Sequence, residues 1–89
     1  MKAKTKMKNE LVKVLKKEYQ IVPELDKVDG FVIIDISKNS TGVYAAINDS
    51  KIEVLYTPDL IEDFKLITTY PLTTDARLIA NIMCELVRR

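Results

Sequence analysis

The sequence predicts an α+β fold, a three-stranded antiparallel sheet covered on one face by an N-terminal and a C-terminal helix. Three observations lead there. The stretch 31–57 reads FVIIDIS, KNSTG, VYAAIN, DS, KIEVLYT, three runs rich in β-branched and aromatic residues separated by turn-forming residues. Apolar residues recur at helical spacing before it and after it. The three runs also sort into two unlike faces, since successive side chains of a strand alternate. Val32, Ile34, Ile36, Val43, Ala45, Ile47, Ile52, Val54 and Tyr56 make a dry face. Phe31, Ile33, Asp35, Ser37, Tyr44, Ala46, Asn48, Lys51, Glu53, Leu55 and Thr57 make a mixed one. That asymmetry is expected where helices cover one side only.

The elements follow in order. Residues 1–8, MKAKTKMK, alternate lysine with small or apolar residues and read as a basic flexible arm, with the folded domain over 9–89. Asn9 is a candidate N-cap. Leu11, Leu15, Tyr19 and Val22, flanked by Val12 and Val14, form the stripe of an amphipathic helix that Pro23 ends. Residues 23–30 read as a connector with Leu25 and Val28 tucked under the sheet edge, and Asp29-Gly30 turns the chain into the first strand. The strand connections are 37–42 and the short Asn48-Asp49-Ser50. Thr57-Pro58-Asp59 is a helix-start signal, whereas residues 66–70, LITTY, have strand composition. Residues 58–71 are therefore open between a short helix, a fourth edge strand and an extended loop. In the last helix Thr73 or Thr74 caps, Asp75 lies in the first turn, and Arg88 and Arg89 lie at the end where the dipole favours cations. Its stripe is Ile79, Ile82, Met83 and Leu86, widened by Ala76, Leu78 and Val87.

Bulk properties narrow the class. At 89 residues and 47% hydrophobic, the chain is one small folded domain. The net charge of +1 hides a basic start, with seven lysines and only Glu10 in the first 17 residues, joined to an acidic remainder. A single cysteine excludes an internal disulfide and fits a reducing compartment. No apolar run approaches the ~18 residues of a membrane span, and no secretory h-region follows the basic start. A cytoplasmic protein is expected.

The chemistry points away from catalysis. There is no histidine, so the commonest general base and metal ligand is missing. Cys84 flanks the apolar stripe of the last helix and reads as a small core residue. Neither of the two glycines sits in a phosphate-cradling motif. Asp59, Glu62 and Asp63 form the tight acid cluster; they read as a solvated acidic face rather than a Mg²⁺ site. No catalytic, cofactor or metal residue is assigned.

Two surfaces remain. Lys2, Lys4, Lys6, Lys8, Lys13, Lys16 and Lys17 could contact phosphates, but the acidic body opposes that and no aromatic residue interleaves with them. On the mixed face, Asp35, Tyr44 and Leu55 fall in one cross-strand row and Ile33, Ala46 and Glu53 in the next, with Phe31 at the end. An apolar patch rimmed by charge is the pattern of an interaction surface. Phe31, Ile33, Asp35, Tyr44, Glu53 and Leu55 are thus the candidate partner-binding residues, for a target protein or a second copy in a homodimer. The competing expectation is that residues 58–71 fold back over this face.

The order helix–strand–strand–strand–helix is similar to that of double-stranded-RNA-binding domains. Those domains open their second helix with a lysine cluster, where this chain reads Thr73-Thr74-Asp75-Ala76-Arg77 and departs from the pattern. In size, lysine-rich start and lack of catalytic residues the chain also resembles small phage or mobile-element accessory proteins, anti-CRISPR proteins among them. That resemblance implies a protein that binds and inhibits a host factor. A nucleic-acid-binding accessory or regulatory protein is the alternative.

Overall fold

The computed structural model describes residues 2–88; Arg89, expected beside Arg88 at the end of the last helix, lies outside them. The element order is α1 (Ala3–Tyr19), β1 (Glu24–Val28), β2 (Phe31–Asp35), β3 (Gly42–Ile47), β4 (Lys51–Thr57), β5 (Lys65–Pro71) and α2 (Ala76–Val87). The fold is α+β, as the residue patterns predict, but the antiparallel sheet has five strands, in the order β1-β2-β3-β4-β5. Each strand pairs with its neighbour in sequence, and both helices lie on the dry face.

Two strands correct the sequence reading. The connector 23–30 contains β1, paired with β2 from Glu24↔Asp35 to Val28↔Phe31. That register leaves Asp29 and Gly30 as a two-residue turn, with φ of +47° and +82°. Two positive φ values are what a type I′ hairpin turn requires, and Asp-Gly meets them at low cost. Leu25 and Val28 are half-exposed on the edge strand and not tucked beneath it. The second correction is β5, which resolves the 58–71 alternatives. Residues 65–71 pair with β4, with a register shift between Val54 and Leu55. The helix-start signal at Thr57 forms no helix. The Thr57 hydroxyl instead donates to the Asp59 carbonyl at 2.7 Å and closes a turn.

Helix α1 starts at Ala3 and takes in residues 3–8, which the sequence pattern set apart as an arm. Met7 is the reason. It lies four residues before Leu11 and eight before Leu15, on the same face, and all three are buried. Lysines are good helix formers, so the polar side of these turns does not resist. The helix stops at Tyr19, before Pro23 can act, because Gln20 takes a left-handed φ of +55°. The Gln20 and Ile21 N–H groups both donate to the Leu15 carbonyl. Val22, expected in the stripe, lies beyond the helix and is 78% exposed.

The core joins Met7, Leu11 and Leu15 of α1 to the dry face and to Ile79, Met83 and Leu86 of α2. All of the expected dry-face residues are buried except Tyr56, which is half-buried. Asp75 is the N-cap of α2, not Thr73 or Thr74; its carboxylate accepts from Arg77 N–H at 2.9 Å. Arg77 also reaches Glu18 (3.4 Å) and ties the two helices at their outer surface. No described helix is long and apolar enough to cross a membrane.

Candidate functional site

The mixed face carries the candidate site. The register places Asp35 opposite Tyr44 and Tyr44 opposite Leu55, with Ile33 opposite Ala46 and Ala46 opposite Glu53. The two extra strands lengthen both rows. Glu24 and Leu66 extend the first, Asp26 and Thr69 the second. Phe31 sits at the β1–β2 turn, opposite Val28.

This face is half covered. The 58–64 segment folds back over one end, held by Leu60 N–H donating to the Ser40 carbonyl at 2.7 Å. Its Phe64 ring packs edge-on against Tyr44, with centroids 4.8 Å apart. Gly42 makes this possible. A Cβ there would collide with the Phe64 ring and lie 2.7 Å from Leu60 Cδ2. So the competing expectation of a fold-back holds at the Gly42 end. The rest of the face is open as a shallow hollow of about 310 Å³, walled by Phe31, Ile33, Ala46 and Leu55 with Val28, Asp29, Tyr44 and Glu53.

The hollow has an apolar floor and a negative rim. Asp29 and Glu53 line it, and Asp35, Glu24 and Asp26 continue the charge along β2 and β1 on the same face. Lys51 approaches Glu53 at 3.9 Å, near the limit of an ion pair. Asp35 Oδ1 accepts from Ser37 N–H (2.7 Å), so this carboxylate also shapes the β2–β3 loop. The negative field registers on Tyr44. Partial burial raises its phenol pKa, and Glu53 and then Asp35 raise it further.

The lysines divide into two groups. Lys4 is occupied, donating to the Gly30 carbonyl at 3.3 Å and pairing with Asp49 at 3.7 Å. At 100° per residue, Lys6, Lys13, Lys16 and Lys17 fall on the side of α1 opposite Met7, Leu11 and Leu15, and all four are exposed, as is the N-cap residue Lys2. Lys8 flanks that ridge. Cys84 is buried in the core. Asp59, Glu62 and Asp63 lie in the β4–β5 loop. Among the described residues no three potential ligands converge on a metal-sized site.

The larger crevice, about 850 Å³, lies between the helix C-termini and the β2–β3 loop. Glu24, Asp35, Lys38 and Arg88 mix both charges along it without a focus of either.

The sequence pattern placed Asp35, Tyr44, Leu55, Ile33 and Glu53 side by side in advance. It missed Val28 and Asp29, which reach the hollow only because β1 exists. The Asp29-Gly30 dipeptide directly before a strand-like run was the signal that could have found them. No family model matches the chain, and neither a curated protein nor a solved structure shows significant similarity to it.

Proposed function

We propose that this chain is a non-enzymatic protein-binding module that docks a cellular protein on the open part of the mixed face and acts by occluding it, as an inhibitor of a host factor does. The observation that carries the reading is the hollow itself. Phe31, Ile33, Ala46 and Leu55 present apolar surface beside the carboxylates of Asp29 and Glu53. A surface of that kind suits a partner presenting an apolar side chain flanked by lysine or arginine. Apolar contact supplies affinity, and the acidic rim selects the partner and speeds encounter.

Charge substitution tests it. Tyr44→Asp and Leu55→Asp leave the fold intact and abolish capture of a protein partner from nuclease-treated extract. Val54→Asp and Ile34→Asp place an unpaired charge among fully buried residues and unfold the domain. The reading fails if Leu55→Asp unfolds the chain as readily as Val54→Asp.

A second reading has its own support. Four exposed lysines of α1, Lys6, Lys13, Lys16 and Lys17, lie on a rigid ridge, and Lys6 and Lys17 are about 17 Å apart along it. Such a ridge suits a nucleic-acid backbone. Nucleic-acid binding would weaken steeply with salt, by a log–log slope of about −0.9 per phosphate contacted. Nuclease-sensitive capture lost on Lys13→Glu/Lys17→Glu substitution would favour it over docking at the hollow.

A further inference from the structure

We propose that the chain associates with itself head to tail, the β4–β5 loop of one copy entering the groove between α1 and β1 of the next. Two features carry this, and neither belongs to the hollow.

The first is a knob. Ile61, at the tip of the β4–β5 loop, is 90% exposed, the most exposed large apolar residue of the described chain. The loop is built to hold it outward. Asp59 Oδ1 accepts from Ile61 N–H (3.2 Å), and Glu62 N–H donates to the Asp59 carbonyl (2.8 Å). Asp59, Glu62 and Asp63 surround the tip with carboxylates.

The second is a groove of about 470 Å³ on the other side of the molecule. Its apolar floor is Val12 and Leu25, and four lysines, Lys8, Lys13, Lys16 and Lys17, frame it. Leu25 is half-exposed. Among the described residues, none of these four ammonium groups and none of the three loop carboxylates has an ion-pair partner.

The two are complementary in both respects that matter: apolar tip against apolar floor, three negative charges against four positive ones. They cannot meet within one copy. The groove borders β1, the first strand of the sheet, on the helix-covered side, while the loop precedes β5, the last strand, and folds over the mixed face. The occupant the charges select is therefore a second copy. Because knob and groove are different surfaces, the contact is heterologous, and each pair leaves one knob and one groove free for further copies.

Sedimentation of purified full-length protein tests this. Association should rise with concentration and weaken as ionic strength goes from about 0.05 to about 0.5 M. Ile61→Asp should raise the dissociation constant tenfold or more, and so should either Leu25→Asp or Lys13→Glu/Lys17→Glu, with far-UV circular dichroism unchanged. The decisive sample mixes the Ile61→Asp protein with a groove variant. Each keeps one intact half, so they should form 1:1 pairs that grow no further. Leu55→Asp should leave association untouched, which separates this contact from docking at the hollow. A wild type that stays monomeric at about 1 mM overturns the proposal. So does association that survives both variants, or a mixture that forms no pairs.

Discussion

Cys84 sits on the packed side of α2, and burial pushes its thiol above the ordinary value of 9.0 while the nearby Arg88 charge pulls it down. The thiolate is the reactive form, so we predict slow labelling by a thiol reagent in the native protein and fast labelling in denaturant. Fast native labelling would mean that α2 is rotated. The same shift has a consequence for pH. A raised native pKa means that the folded chain favours the neutral group, so its contribution is whole below about pH 9 and is lost as pH rises through the native value. Tyr44, raised from 10.0, acts in the same direction at higher pH. Chemical denaturation should therefore show stability falling above about pH 9, with the first part of that fall absent in Cys84→Ala. At Gly42 the issue is space. We predict that Gly42→Ala lifts Phe64 off Tyr44 and costs about 1–3 kcal/mol. Phe64→Ala in the same chain should make the two changes less than additive in a denaturation cycle. The composition of the 42–57 strands revealed the two faces, but not the role of Gly42. Its constraint comes from Phe64, 22 residues away, across a turn whose path no local signal specifies.

At the scale of elements, α1 shows how a partner overrides a local rule. Its first turns carry Lys4 and Lys6 where the dipole disfavours cations, and Lys2 offers no side-chain cap. Burial of Met7 at 3% exposure holds those turns in place. We predict that Met7→Ala lowers unfolding free energy by about 2–4 kcal/mol and that deleting residues 1–8 costs at least as much, read from urea melts. An unchanged midpoint on deletion would restore the picture of a dispensable arm. The stripe Leu11, Leu15 was legible at its regular spacing; its extension to Met7 was masked by four alternating lysines. The edge strands were masked differently. The strand ELDKV buries none of its residues, so no apolar alternation marked it. It is a strand because the Asp29-Gly30 turn sets it against β2. Its charges also guard the edge, and Asp26 Oδ1 accepts from Lys27 N–H at 2.8 Å. In β5 the register shift beside Leu55 broke the alternation that would have distinguished strand from loop.

Over the whole molecule, charge is sorted by layer. The outer surface of α1 is basic and the open sheet face acidic, so a net charge near zero conceals a molecule with two unlike sides. Binding, on either surface, should accordingly respond to salt more than the net charge suggests. The topology has a further consequence, for the order in which the chain can be completed during synthesis. Every strand meets its neighbour as soon as that neighbour has left the ribosome, so the meander can assemble as it emerges. Its dry face cannot be closed then. Ile79, Met83 and Leu86 come from α2, which follows all five strands, and α1 packs against α2 as well as against the sheet. A nascent chain ending before residue 76 thus carries a nearly finished sheet whose apolar side has only α1 to cover it. That is the species on which aggregation, or a chaperone, would act.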